Sequence, residues 1–478
     1  MNSVYLIVFF IFGTLAVIMF QADVYFPIWF SVMILGFVSL YLLQQYRRKR
    51  LGILMLLIWL VYVLPFIHIP PYLFFDFSSN PLLLWGLVVN PYMVDERVIA
   101  LTAMIGAVGG MGIGFGASLN NQRMQEDYHM SQNGCERHFR TLSMPIWLVW
   151  VVIGVALTAM SAPRETIFTS AYTESGSILE RANFASAWMM SYVILTFAFS
   201  DALLERQAFI KSMKKGLFLA SLLLVVVYFQ IMRGDRESVP WVFGLALCYY
   251  YWAAGITQRR GFTIPWLKII GVAFGLVTVT MVLGAIRTGL SGASLADAGE
   301  LISNLYESDS IGIANTLNGT WSATLLTPLS VAGDHIHGLL AVKWGQDYLD
   351  LFLSIIPGFL ADAIGYTRPI DSNQGPAWEM RYGLGGTHAT VVPFMNLRMF
   401  GVFLVPVIWT IIIVNYEKMA LRLVSAIKLS LLVTIAMAAP HWLWYGEKNG
   451  FNAIVLWLIF SFFYRLSLGL HRSSDLRV

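Results

Sequence analysis

From residue 5 onward the chain returns repeatedly to uninterrupted apolar runs, the first of them YLIVFFIFGTLAVIMF at 5–20. Runs of this kind recur at close to the 20 residues of helix needed to cross the ~30 Å hydrocarbon layer of a bilayer. Helices and closed barrels are the only backbones that satisfy their own polar groups there. With 58% of its 478 residues hydrophobic and 12% charged, the chain carries roughly half the charge of a soluble domain. Its patterning predicts an all-α polytopic membrane protein, a single domain over 1–478 with no soluble module between the runs. The first run lacks a basic leader and a small-residue cleavage site, so it reads as a retained span.

Twelve spans are expected, near 4–20, 28–44, 51–67, 97–118, 142–160, 185–200, 215–232, 239–256, 265–286, 389–413, 423–439 and 451–468. Basic residues gather on alternate connections: RRKR at 47–50, Arg123, Arg137 and Arg140, then Arg206, Lys211, Lys214 and Lys215, then Arg259 and Arg260, then Lys418 and Arg422. The positive-inside rule makes that side cytoplasmic and, with an even number of spans, puts both termini there. The outward segments are then 68–96, 161–184, the short turn RGDRES at 233–238, 440–450 and the long stretch 287–388. Within that stretch, 347–364 is apolar but broken by Pro357 and Gly358. A full crossing would reverse the charge-based sides after it, so a re-entrant or surface-lying helical pair is expected.

Arginines are the notable outward charges. Arg233 and Arg236 share one tight turn, Arg287 ends the ninth span in GAIRTG, and Arg368 and Arg381 follow. A guanidinium fork matches phosphate oxygens in a way that a lysine point charge does not, so this group suits a phosphate or pyrophosphate held without metal. Two plainer readings stay open: an ion-pair latch with Asp235 or Glu237, and, for isolated cases such as Arg97 and Arg398, a snorkelling side chain.

Two further stretches carry chemistry. WSATLLTPLSVAGDHIHG at 321–338 holds Asp334, His335 and His337 and is expected to be a polar loop beside a cavity. On a helix the two histidines would diverge, and with no third ligand nearby a zinc site is not favoured. YTRPIDSNQGPAWEMRYGLGGTH at 366–388 leads into the tenth span and puts His388 at its outer end, as a proton acceptor or as a capping or packing residue. Asp334, Asp371 and Glu379 are the carboxylates open to a base role, and Glu379 could instead pair with Arg381. No phosphate loop, nucleophile elbow or CxxC pair occurs, and no cofactor, metal or nucleic-acid partner is implied.

Taken together, the RGDRES turn, Arg287 in GAIRTG and GGTHATVVPFMNLRMFGVF resemble the corresponding stretches of bacterial Wzy-type polymerases of O-antigen and exopolysaccharide repeat units. The organisation is similar over almost the full chain, the specific residues over these three stretches. The resemblance implies a metal-independent GT-C glycosyltransferase of the bacterial inner membrane, acting at its periplasmic face on undecaprenyl-pyrophosphate-linked oligosaccharides, with a membrane chain-length regulator as a possible partner. By the same resemblance Arg233, Arg236, Arg287 and Arg381 bind pyrophosphate, with Arg368, His335 and His337 accessory, and His388, Glu379 or Asp334 takes the acceptor proton. The sequence departs from the family where Pro393 and Phe394 replace a carboxylate that family members often carry. An O-antigen ligase and a transporter of lipid-linked oligosaccharide are the rival readings.

Overall fold

The computed structural model describes residues 2–73, 95–119, 141–160, 178–205, 213–227, 238–257, 313–353, 364–365, 387–422 and 425–475. They are all helical apart from their connections. In chain order the helices are α1 (Asn2–Gln21), α2 (Ile28–Arg47), α3 (Ile53–Val63, continued by a 3-10 turn Leu64–His68), α4 (Glu96–Ser118), α5 (Met144–Met160), α6 (Ile178–Leu204), α7 (Met213–Val227), α8 (Ser238–Thr257), α9 (Ile313–Ile336), α10 (Gln346–Leu353), α11 (Val391–Arg422), α12 (Ala426–Tyr445) and α13 (Glu447–Asp475). Six of these, α1, α2, α4, α11, α12 and α13, are long and apolar enough to cross a membrane, and Ile53–His68, Met144–Ala159 and Trp188–Leu204 are shorter apolar helices. The chain is therefore a helical membrane protein. The expected span 265–286 lies outside the described residues.

The residues group into two compact units, one of 1–133, 318–422 and 439–451, the other of 134–317, 423–438 and 452–478. In the first unit α4 is the hub, and nearly every residue from Val98 to Ser118 is buried. A helix enclosed on all sides must admit neighbours closely, and the run GAVGGMGIGFG supplies that room. A Cβ at Gly112 would lie 2.3 Å from the Phe403 carbonyl oxygen of α11, and one at Gly109 2.2 Å from the Tyr62 hydroxyl of α3. Small residues let membrane helices gain van der Waals contact that lipid itself would otherwise supply. Gly112→Ala is expected to lower stability by about 1–3 kcal/mol, because the obstructing atom is backbone and the helices must part. Gly36→Ala, with nothing within 4 Å of the added carbon, should leave the melting temperature of the detergent-solubilised protein unchanged.

In the second unit α5 and α6 make the most extensive contact. The Trp147 indole donates to the Ala198 carbonyl at 2.9 Å, and Ser191 Oγ to the Gly154 carbonyl at 2.8 Å. Tyr192 stacks on Trp241 of α8, whose indole donates to Thr196 Oγ1 at 3.0 Å. Two of the lysines used to assign sides, Lys214 and Lys215, are buried here, and Lys418 is buried in the first unit.

One expectation is corrected. Residues 321–336, expected as a polar loop, belong to α9. Inside a helix the hydroxyls of the Thr and Ser residues in this stretch can return to a carbonyl one turn back, so they are buried at little cost. Every residue from Thr324 to Asp334 is buried. The expected broken pair at 347–364 begins as the short helix α10, and 354–363 lie outside the described residues.

Candidate functional site

One group of polar residues in the first unit lies where α1 and α9 end and α4 and α11 begin, the end that the loop charges assign to the outside. α9 finishes in a paired cap: the Gly338 N–H donates to the His335 carbonyl at 3.0 Å and the Leu339 N–H to the Asp334 carbonyl at 2.7 Å. Gly338 takes φ +70°, the left-handed conformation this cap demands and glycine adopts without penalty. The turn therefore separates the two histidines. His337 is exposed, whereas the His335 ring stacks on Phe20 at 4.9 Å and meets the edge of Phe394 at 5.6 Å.

Opposite this cap α11 is broken. Leu397 (φ −134°, ψ 15°) and Arg398 (φ +53°, ψ −146°) leave helical geometry, and a long side chain at positive φ costs of order 1–3 kcal/mol. Six contacts surround the break. The Lys343 N–H donates to the Met395 carbonyl at 3.1 Å. The Asn396 amide donates to Asp347 Oδ2 and to the Val392 carbonyl, both at 2.8 Å, while its oxygen accepts from the Gly345 and Asp347 N–H groups at 3.0 and 3.3 Å. Lys343 Nζ adds an ion pair to Asp347 Oδ1 at 2.9 Å. Nearby, the Tyr348 hydroxyl donates to Glu447 Oε1 at 3.4 Å.

Arg398 stands roughly two turns inside the candidate span Val391–Met419. Its Nη2 donates to the Leu340 carbonyl at 2.6 Å, and its guanidinium lies 5.4 Å from the centre of the Phe394 ring. Its Nη1 is buried and has no hydrogen-bond partner among the described residues. A buried donor left unpaired costs about 1–3 kcal/mol, more when charged, so this nitrogen favours an incoming acceptor. Beside it, burial first and the Arg398 charge second hold the His335 imidazole below its usual pKa, with Asp23 opposing. His335 is therefore neutral at pH 7 and does not compete for an anion.

The rim is more exposed. Arg97 pairs with Asp23 at 2.8 Å and lies over the Tyr25 ring, and the Tyr25 hydroxyl also donates to Asp23. That hydroxyl is the main influence holding the Asp23 carboxyl below its usual range, and Arg97 adds to it. An ion pair this exposed contributes at most about 1 kcal/mol to stability. Asp95 caps α4, accepting from the Arg97 and Val98 N–H groups at 2.9 and 3.3 Å.

His388 is fully enclosed. Its Nε2 meets the Tyr62 carbonyl at 3.1 Å, so that nitrogen carries the proton, and Nδ1 faces Thr390 Oγ1 at 2.9 Å and the Thr390 N–H at 3.3 Å. Phe66 and Tyr62 pack against the ring. This geometry fits the packing reading of His388, because no face is left for a sugar hydroxyl. Burial pushes its pKa down to about 4. The unfolded chain, with a value near 6.5, takes up the proton first as the pH falls, so stability present above pH 6.5 is lost progressively down to about pH 4. Between pH 7 and pH 5 the loss is about 2 kcal/mol. His388→Gln should remove that part of the acid sensitivity, read by comparing unfolding of the two proteins at both pH values.

Asp334 is buried at the end of α9. Arg233, Arg236, Arg287, Arg368, Glu379 and Arg381 lie outside the described residues. Sequence reasoning did not single out Asp23, Tyr25, Asp347 or Asn396, and it weighed only as snorkelling side chains Arg97 and Arg398. An arginine inside a span was the available signal for the last of them. No family model, curated protein or solved structure matches the chain.

Proposed function

We propose that the protein is a membrane glycosyltransferase that polymerises lipid-linked oligosaccharide repeat units at the periplasmic face of a bacterial inner membrane. The observation that carries this reading is Arg398, a guanidinium inside a candidate span, at a helix break, with one buried nitrogen that has no hydrogen-bond partner among the described residues. Such a group suits the pyrophosphate of an undecaprenyl carrier, whose glycan is the donor. Arg233, Arg236, Arg287 and Arg381 share the role by sequence.

In the reaction a hydroxyl of the non-reducing-end sugar of one lipid-linked unit attacks C1 of the donor sugar. The C1–O bond to phosphate breaks, and undecaprenyl pyrophosphate leaves with the bonding pair. Negative charge grows on the departing oxygen, and fixed guanidinium donors in a site shielded from water stabilise it without reorganising. The hydroxyl proton passes to a carboxylate, and because His388 and Asp334 are both buried, Glu379 is favoured for that part by sequence.

The purified protein in lipid nanodiscs, supplied with an undecaprenyl-pyrophosphate-linked repeat unit, should yield glycans at multiples of the repeat mass and release the free carrier. Transfer only to an added lipid A core acceptor would replace polymerase with ligase. Turnover of neither substrate, with the glycolipid moved between leaflets, would replace catalysis with transport.

A further inference from the structure

The helix α10 is built inside out for a water-facing element. Two of its polar residues turn inward, Asp347 bound by Asn396 and Lys343 and Tyr348 reaching Glu447, while Gln346 at its first position is exposed. Three of its apolar residues turn outward: Leu349 is 60% exposed, Phe352 61% and Leu353 41%, with Leu351 half-buried, and the preceding segment adds Trp344 at 81% and Leu339 at 60%. None of these lies in a candidate membrane span, so crossing the bilayer does not account for their exposure. At eight residues α10 is about 12 Å long and too short to cross.

We infer that the outward face of α10, with Trp344, docks into the interfacial layer of the outer leaflet. Contacts on both flanks fix its level. Phe352 meets the edge of Phe451 at 5.4 Å, close to the start of α13, where the candidate span Glu447–Gly469 begins. On the other flank, Lys343 joins the Met395 carbonyl near the start of the span in α11. A helix tied to the heads of two spans, apolar side out and beside an exposed tryptophan, has the arrangement of an element lying in the headgroup and upper acyl region. The membrane thereby covers a surface that water would penalise. It also seats the 339–346 segment, which supplies Leu340 to Arg398 and Gly345 to Asn396. The inference stands whether or not the reaction proposed above is correct.

The test uses the full chain in lipid nanodiscs with Cys135→Ser, the buried Cys248 being retained and its lack of labelling checked in the parent. Nitroxides are placed singly through Leu349→Cys, Phe352→Cys and Trp344→Cys, with Ile412→Cys in α11 as the lipid-facing reference. Collision with oxygen is expected to exceed collision with a water-soluble nickel chelate several-fold at 349 and 352, as at 412, with 344 closer to parity. Dominant nickel collision at 349 and 352 would place the face in water and overturn the inference. Suppression of both collisions would overturn it in favour of a protein cover, whether a second copy or another chain. Each position is read separately, so loss of one variant leaves the other to decide.

Discussion

Lys214→Met is expected to destabilise the second unit by about 3–5 kcal/mol, the cost of leaving a buried charge without its partner. Lys214 Nζ donates to the Leu142 carbonyl at 2.6 Å and to Asp201 Oδ2 at 3.2 Å, while Asp201 Oδ1 accepts from the Leu142 N–H at 2.9 Å and the Tyr464 hydroxyl at 2.6 Å. The pair thus joins the start of α5, the end of α6, the start of α7 and α13 through groups that are all satisfied. Removing the lysine leaves a carboxylate whose remaining partners are neutral. The double variant Lys214→Met with Asp201→Leu should recover much of the loss, since an apolar pair of similar volume avoids the desolvation that the ions incur. Thermal unfolding in detergent across the double-mutant cycle checks this. Additive losses with no recovery would show that the two side chains do not act as a pair.

The second large effect is on turnover. Arg398→Ala should cost roughly 2–4 kcal/mol of transition-state stabilisation, about 30- to 1,000-fold in rate, if its unpaired nitrogen meets the leaving pyrophosphate. Arg398→Lys should fall almost as far, because a point charge replaces a fork that must serve the Leu340 carbonyl and the substrate together. A purely structural arginine would give a different pattern, with a lowered melting temperature and turnover restored once the protein is stabilised by cooling. The α11 break makes the comparison demanding, because residue 398 must keep φ +53° in every variant.

Much of the helical framework was legible because apolar runs of bilayer length leave few alternatives. α9 was not, since Asp334, His335 and His337 drew the stretch toward a polar loop, and local sequence cannot register that packing buries Thr324, Thr327 and Ser330 within a helix. Lys214 and Lys215 counted as loop charges, though the fold encloses both. At the site, Asp334 and His335 drew notice as a local cluster. Asp23 lies in the turn after α1, Arg97 in α4 and Arg398 in α11, and they looked isolated until packing brought them to one end of the unit. His388 was visible as a chemical group, but its enclosure by Tyr62 and Phe66 depends on contacts more than three hundred residues apart in sequence.

The most direct measurement deletes the gene from its host, returns wild type, Arg398→Lys or Arg233→Ala at matched protein level, and resolves surface polysaccharide by gel. Wild type should restore a ladder of repeat lengths, and both variants should collapse it to a single capped repeat. A ladder that survives the deletion, or that both arginine variants sustain in full, would contradict polymerisation through an arginine-held pyrophosphate.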